Sequence, residues 1–282
     1  MPSLALLAQS LASGIFIGAL YGLLGLGLSL AWGLLGQINL AHFALALLGA
    51  YLTYQLSLAG LDPLATLVFI VPAFFAFGAA LHWLLARFAV SAFNSLLITF
   101  GLTVIIEAGI QWIWSADFRR LESHYAEVRY RLGTLYLPLP ELLTLVLAVA
   151  LALALWAALR YTDFGKALRA SAEDAGIAQA YGVNAKALAL LLSGISAALA
   201  GVAGLCIALS YTLAPSQIYA WVGVVFAVVM LGGLGSALGP LVAGIVIGVS
   251  EALTAAFTAP SWAPLVSFSL LIALLLLRPE KI

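Results

Sequence analysis

Long apolar stretches, separated by short breaks, run through almost the whole sequence. A membrane-spanning helix requires about 20 predominantly apolar residues, and nine stretches approach or exceed this length. The breaks coincide with Gly-rich segments at 33–39 and 232–236 and with Pro63, Pro138 and Pro140. The pattern predicts membrane helices at 10–33, 40–59, 63–86, 94–114, 139–159, 188–212, 218–232, 238–257 and 262–277.

The predicted seventh span, 218–232, is short for a membrane crossing. It is therefore either a complete span or a broken, re-entrant segment. A re-entrant segment must be buried in protein or line a wet cavity, because lipid cannot satisfy its backbone. The whole pattern predicts an all-α polytopic transmembrane bundle that forms a single domain over residues 1–282.

Composition supports a membrane protein and excludes several other classes. Hydrophobic residues make up 65% of the chain and charged residues 8%, whereas soluble domains contain about 25% charged residues. The formal net charge is zero, so the chain lacks the basic character of a nucleic-acid-binding protein. Three isolated histidines and one cysteine predict no metal site.

Two hydrophilic loops, 115–138 and 160–187, indicate the orientation. With nine spans, seven of the 11 Lys and Arg residues fall on the side of 160–187, and this count includes Arg87, Arg278 and Lys281. The other four lie in 115–138. Because Lys and Arg concentrate in cytoplasmic loops, we expect 160–187 and the C-terminus inside the cell, and 115–138 and the N-terminus outside.

The 160–187 loop has signals for a compact helical knob. Asp163 is a candidate N-cap of a first short helix. Glu173 and Asp174 suit the first turn of a second helix, where the dipole favours anions, and Gly182 suits the position after its end. An ordinary solvated connection fits this pattern equally well. If the loop forms a knob, Ile177, Ala178 and Tyr181 are expected to form a small apolar face on it.

Glycines recur at intervals of four residues, as in Gly14, Gly18 and Gly22 and in Gly244 and Gly248. Small residues at this spacing allow helix backbones to approach closely. Tight helix packing is the main interpretation, and a flexible hinge is the alternative.

Four polar residues lie in or beside predicted spans. A charge at the centre of a bilayer costs roughly 2.5–3.5 kcal/mol on insertion scales, so Glu107 and Glu251 should face the bundle interior or a water-filled path. The alternative is a neutral carboxyl that bonds two helices. Asn39 and His42 follow the break at Gly36 and are candidates for the substrate path or for holding the break together.

Five motifs carry a resemblance to a known family, and they run in family order over most of the chain. They are Gly-Gln-Ile-Asn-Leu-Ala-His at 36–42, Gly-Lys-Ala-Leu-Arg-Ala at 165–170, the Ala- and Gly-rich 198–204, the Gly-rich 232–240 and Leu-Leu-Arg-Pro at 276–279. Together they resemble the permease subunits of branched-chain amino-acid ABC importers. The form of 38–42 resembles the first permease of the pair, the high-affinity leucine, isoleucine and valine type.

The resemblance implies a role for the 160–187 loop. In such importers the equivalent loop docks into a cytoplasmic ATPase, and we assign this coupling role to Gly165, Arg169, Glu173, Asp174 and Gly182. None of the three lysines of the chain follows the Gly-x4-Gly-Lys-Ser/Thr pattern of a phosphate-binding loop. ATP is therefore expected to be used by partner subunits, and no cofactor is expected on this chain.

The resemblance also implies partners and a location. The expected partners are a second permease subunit, homologous or identical, two cytoplasmic ATPase subunits and an extracytoplasmic solute-binding protein. The expected location is the inner, or plasma, membrane of a bacterium or archaeon. Urea or short amides are alternative substrates, because related permeases carry them.

Two other function classes were compared with the importer. An ion-coupled secondary transporter would use Glu107, Glu251 and His42 as proton-linked groups. An intramembrane enzyme would need a catalytic constellation, and no Ser, His and Asp set can be nominated from spacing. The sequence therefore favours a transport subunit that is not itself an enzyme.

Overall fold

The computed structural model describes residues 4–88, 92–258 and 260–277. Within these ranges, nine long helices correspond to the nine predicted spans, and three short helices and one hairpin lie between them. The elements are α1 Leu4–Leu35, α2 Ala41–Leu58, α3 Leu67–Phe88, α4 Ala92–Trp114, α5 His124–Glu127, β1 Arg129–Leu132, β2 Leu135–Pro138, α6 Leu139–Tyr161, α7 Asp163–Glu173, α8 Ala175–Ala180, α9 Ala185–Ser210, α10 Ile218–Gly232, α11 Gly239–Phe257 and α12 Ala263–Leu277.

Eight of the described helical segments are long and apolar enough to cross a membrane. The seventh gains its length from a 3-10 turn, Pro215–Gln217, that leads directly into α10, so the continuous segment Pro215–Gly232 has 18 residues. The predicted alternative of a half-helix is therefore not needed here. The ninth helix, α12, has 15 residues, as α10 does without its 3-10 turn.

The centre of the bundle is formed by α1, α2 and α9. In the most apolar 18-residue stretch of each helix, 72% of α1 and 78% of α9 is buried, against 17% of α4 and of α6. Because α4 and α6 are similarly apolar but exposed, they lie at the periphery of the bundle. The motif at 198–204 lies in α9 and packs on α2, where a Cβ on Gly49 would lie 3.1 Å from the Cα of Gly201.

The glycine spacing produces a close antiparallel contact between α1 and α11. A Cβ on Gly14 would lie 2.6 Å from the Cα of Val249, and one on Gly18 would lie 2.6 Å from the Cα of Ile245. Gly244 and Gly248 face the same contact from α11. The packing interpretation is therefore confirmed, and these residues form what we call the glycine seam.

The two Gly-rich breaks are hydrogen-bonded to neighbouring helices. The backbone turns at Gly36 (φ +66°), and Thr99 of α4 accepts a hydrogen bond from the Leu40 amide at 3.2 Å. The second break turns at Gly233 (φ +89°), where the Ser29 hydroxyl donates to the Gly233 carbonyl at 3.1 Å. These bonds supply partners that lipid cannot offer to an interrupted helix.

The 115–138 loop contains a β-hairpin that the apolar pattern did not predict. Strands β1 and β2 pair antiparallel with Leu132 opposite Leu135, and the turn between them begins at Gly133 with φ +64°. Gln9 of α1 exchanges two hydrogen bonds with the Tyr136 backbone, at 2.9 and 3.0 Å. The hairpin therefore lies at the end of the bundle where α1 begins.

Helix α6 separates the hairpin from the knob. It begins directly after β2 and ends directly before α7, and its 23 residues span about 35 Å at the usual helical rise. The hairpin and the knob therefore lie at opposite ends of the bundle. Arg278 and Lys281, which entered the charge count, lie outside the described residues.

Candidate functional site

The knob consists of α7 and α8, and its first helix begins one residue earlier than predicted. Thr162, not Asp163, is the N-cap, and its hydroxyl oxygen accepts a hydrogen bond from the Gly165 amide at 3.3 Å. Asp163 instead lies in the first turn, where a carboxylate interacts favourably with the helix dipole. Its exposed side chain also pairs with Lys166 at 3.0 Å.

The second knob helix is capped by Asp174. Its Oδ1 accepts hydrogen bonds from the amides of Gly176 and Ile177, at 2.8 and 2.9 Å. The prediction that Asp174 and Glu173 lie in the first turn of this helix is wrong, because Asp174 is its N-cap and Glu173 is the last residue of α7. Gly182 follows the end of α8 with φ +88°, which confirms its predicted position.

Two residues of the predicted coupling set attach the knob to α6. Gly165 is buried, and a Cβ at this position would collide with the backbone of Leu159. The Arg169 guanidinium donates a hydrogen bond to the Leu159 carbonyl, and Leu168 is buried at 2% exposure. The first knob helix is therefore held against the end of α6.

The apolar residues of α8 point in two directions. Ala178 is buried, whereas Ile177 is 60% and Tyr181 is 87% exposed. The prediction of one common apolar face is therefore wrong: Ala178 faces the bundle, and Ile177 and Tyr181 lie four residues apart on the outer side. Such a pair forms one neighbouring patch on a helix.

A cavity of about 570 Å³ lies at the opposite end of the bundle, beside the start of α1 and α6. This volume falls in the range of about 300–1,000 Å³ that is usual for small-molecule sites. It is bounded by the five helices α1, α6, α10, α11 and α12 and by the end of α9. Its polar lining residues are Ser13, Tyr21, Glu141, Thr144, Ser210, Tyr211, Tyr219, Glu251 and Ser267.

Glu251 is the most buried carboxyl group in this cavity, with 9% exposure. Tyr21 of α1 donates a hydrogen bond to its Oε2 at 2.9 Å, and Ser267 of α12 donates to its Oε1. The prediction that Glu251 faces the bundle interior is confirmed. The same contacts also join three helices, so they fit both interpretations of this residue.

Sequence reasoning missed several cavity residues. Glu141 and Tyr211 line the cavity. Glu141 follows Pro138 and Pro140, so in the sequence it resembles an ordinary residue of a helix start. Trp221 packs against Tyr21 and Tyr211 with ring centroids 6.0 and 5.4 Å apart. The aromatic residues at 211, 219 and 221 are a signal that could have drawn attention to this end of α10.

Glu107 lies next to the cavity but does not line it. The Tyr219 hydroxyl donates a hydrogen bond to Glu107 Oε2 at 2.8 Å, and Tyr219 itself belongs to the lining. Glu107 thus connects α4 to α10 by a hydrogen bond at the cavity margin.

Asn39 and His42 lie elsewhere in the molecule. His42 is 1% exposed, its Nε2 is 3.0 Å from the Leu24 carbonyl oxygen, and its ring packs on Gly27. These contacts hold α2 against α1. Asn39 borders a separate pocket of about 20 Å³, in which its Oδ1 has no partner among the described residues.

The three groups of the secondary-transporter hypothesis do not form one relay in the described structure. No hydrogen bond or ion pair among the described residues joins any two of Glu107, Glu251 and His42.

A polytopic apolar bundle with a polar cavity at one end and a capped polar knob at the other defines a membrane-transport subunit. Residues 10–275 match the family model described as the permease component of the branched-chain amino acid transport system. The match covers most of the chain, so the chain belongs to this family of permease components.

Curated relatives agree with the family over nearly their full lengths. The permease protein BraD of Pseudomonas aeruginosa is 26% identical over 300 residues, which cover 100% of this chain and 97% of BraD. LivH of Salmonella typhimurium is 28% identical, with 97% of this chain and 94% of LivH covered. LivH of Escherichia coli strain K12 is 27% identical with the same coverage. Each is named a high-affinity branched-chain amino acid transport system permease protein. No solved structure matches the chain significantly.

Proposed function

We propose that this chain is a membrane subunit of an ATP-driven importer of branched-chain amino acids and that its knob docks an ATPase subunit. The observation that carries the docking step is the exposed pair Ile177 and Tyr181 on the outer side of α8. Exposed apolar side chains on lipid-facing helices are expected, but this pair belongs to a polar segment rich in charged residues. Two neighbouring exposed apolar side chains in a polar segment can form the centre of an interaction surface.

The attachment of the knob supports a coupling role. Because Gly165 and Arg169 hold α7 on the end of α6, a displacement of α8 is passed to a membrane helix rather than absorbed by a loose loop. Glu173 is exposed at the corner between α7 and α8, where it can contact a partner. Asp174 and Gly182 fix the two ends of α8.

The proposed assembly contains a second permease subunit, two cytoplasmic ATPase subunits and an extracytoplasmic solute-binding protein. The knob lies in the cytoplasm of a bacterial or archaeal cell, and the hairpin and the cavity face outward. A solute delivered by the binding protein then reaches the cavity first, and Glu251 and Glu107 lie on its route. Asn39 and His42 remain candidates for the inner part of this route.

The docking step can be tested with Ile177→Ala and Tyr181→Ala combined in one variant. We expect loss of most co-purification of the ATPase subunit that accompanies the wild-type chain, and a fall of at least about tenfold in ATP-driven leucine uptake into vesicles. Tyr130→Ala is the matched control, because Tyr130 is 52% exposed on the opposite end. Normal ATPase capture by the double variant would show that the knob is not the docking surface.

The same vesicles separate the importer from a secondary transporter. We expect uptake to cease on ATP depletion and to persist when a protonophore is added with ATP present. Uptake that survives ATP depletion and fails with the protonophore would contradict the proposed function.

A further inference from the structure

The cavity contains two carboxyl groups and lacks a basic partner for them. Glu251 and Glu141 both line it, and no Lys, Arg or His occurs among its lining residues in the described part of the chain. The groups that contact Glu251 are the neutral hydroxyls of Tyr21 and Ser267. These hydroxyls orient the carboxylate and stabilise its charge, but they do not neutralise it.

The Glu141 side chain has fewer hydrogen-bond partners than the Glu251 side chain. It lies in the first turn of α6 and is partly buried. Within the ranges that the structure describes, its side chain makes no hydrogen bond or ion pair. A buried or partly buried charge is unfavourable unless it is paired. Each carboxyl group is therefore open to a partner from outside the chain, which can be water, a proton or a cationic ligand.

The remaining lining favours an organic cation. Aromatic rings of Tyr21 and Tyr211, fixed by Trp221 between them, border the cavity, and aromatic faces attract ammonium groups. Mg²⁺ and Ca²⁺ prefer six or more oxygen ligands, and Zn²⁺ prefers nitrogen and sulfur ligands that the described lining lacks. The other walls are apolar and suit a hydrocarbon side chain; they include Phe16, Ile17, Leu20, Val224 and Phe268.

We propose that this cavity binds an ammonium-bearing solute, with the ammonium group held by Glu251 and Glu141 and the hydrocarbon part against the apolar walls. The inference rests on the proposed function in one respect: the transported amino acid is the natural solute of this type. It assigns part of the substrate selection to the permease itself, in addition to any selection by a binding protein.

The test uses the full chain in lipid nanodiscs, without partner proteins, and three probes that share an isobutyl side chain. Leucine carries an ammonium and a carboxylate, 3-methylbutylamine carries only the ammonium, and 4-methyl-2-oxopentanoate carries only the carboxylate. We expect leucine and the amine to bind in calorimetric titrations and the keto acid not to bind. Removing one charged partner should weaken amine binding by at least about tenfold in Glu251→Gln and in Glu141→Gln.

Glu122→Gln is the matched control, because Glu122 is an exposed carboxyl group that does not line the cavity. It should bind the amine as the wild type does. Since Glu251 also joins three helices, Glu141→Gln keeps the test valid if Glu251→Gln does not fold. The proposal is overturned if no probe binds, if the keto acid binds as tightly as the amine, if sodium ions compete with the amine at equal concentration, or if foldable Gln variants retain full affinity.

The result is separable from that of the proposed function. Amine binding without ATP-driven amino-acid uptake by the assembled particle would reject the importer and leave the ammonium site standing. Uptake by the assembled particle without amine binding to the cavity would support the importer and reject the ammonium site.

Discussion

The knob at one end of the bundle and the cavity at the other differ in how far apart in the sequence their parts lie. The cap bonds of Thr162 and Asp174 reach across two or three residues, so the knob is specified by one continuous segment. The bond between Tyr21 and Glu251 joins residues 230 positions apart. The knob is thus a local structure fastened to α6, whereas the cavity exists only when α1, α6, α10, α11 and α12 are packed together.

This comparison predicts that the two ends respond to different changes. Variants in the knob should alter the response to a partner and leave solute binding intact. Variants in helix packing should remove the cavity and its binding together.

The glycine seam should be the most sensitive position. In Gly18→Val, the new side chain would begin 2.6 Å from the Cα of Ile245, and a rigid backbone contact cannot yield as a flexible side chain does. Overpacking of this kind costs about 1–3 kcal/mol or more. We expect loss of monodisperse protein in size-exclusion chromatography and loss of amine binding.

Gly101→Val is the control for this change. Gly101 lies in α4, and no described atom would be within 4 Å of its Cβ. It should behave as the wild type. A Gly18→Val variant that purifies and binds normally would show that the seam does not support the cavity.

Arg169→Ala should have the next largest effect. It removes the hydrogen bond from the knob to the Leu159 carbonyl and loosens the connection to α6. We expect ATP-driven uptake to fall by about tenfold, with amine binding to the nanodisc-embedded chain unchanged. Lys166→Ala is the control, because its ion pair with Asp163 is exposed and such pairs contribute about 0–1 kcal/mol. Equal uptake in both variants would remove Arg169 from the coupling route.

The sequence predicts the features that depend on neighbouring residues better than those that depend on distant contacts. The helix boundaries could be predicted because Gly and Pro act through local backbone geometry. The breaks at 36–39 and 232–236 and the prolines mark them. Asp163 was placed one position wrong, since Thr and Asp are both good N-caps and only the backbone at Thr162 distinguishes them. The first helix extends back to Leu4 rather than to 10, because Gln9 and Ser10 interrupt the apolar run without ending the helix.

The cavity could not be assembled from the sequence. Glu251 was found because a carboxylate inside an apolar run is conspicuous, but its partners Tyr21 and Ser267 are ordinary residues of distant helices. Glu141 had the appearance of a helix start, and only the packing of α6 beside α1 and α11 turns it into a wall of the cavity. His42 looked like a path residue because the sequence does not show that its ring packs on Gly27.

A smaller effect is expected for Tyr21→Phe. The change removes the hydroxyl that donates to Glu251 at 2.9 Å and keeps the ring packed on Trp221. Loss of one such bond should lower the free energy of unfolding by about 1 kcal/mol, measured by thermal unfolding in detergent, and weaken amine binding by a few-fold. Wild-type stability in Tyr21→Phe would indicate that Ser267 alone orients Glu251.

The smallest effect is expected for Asp174→Ala. Without its Oδ1, two amides of α8 lose their cap, and an exposed N-cap contributes about 0.5–1 kcal/mol. Hydrogen exchange at Gly176 and Ile177 should accelerate, while exchange around the cavity stays unchanged. Faster exchange at both ends of the bundle would contradict the independence of knob and cavity.

Site-specific photo-crosslinking in the assembled particle tests the central claim most directly. A photoreactive phenylalanine analogue would replace Tyr181 on the knob or Tyr130 on the hairpin. We expect crosslinks from position 181 to an ATP-hydrolysing subunit and none from position 130 to that subunit. Crosslinks to the ATPase from position 130, with none from position 181, would contradict the account.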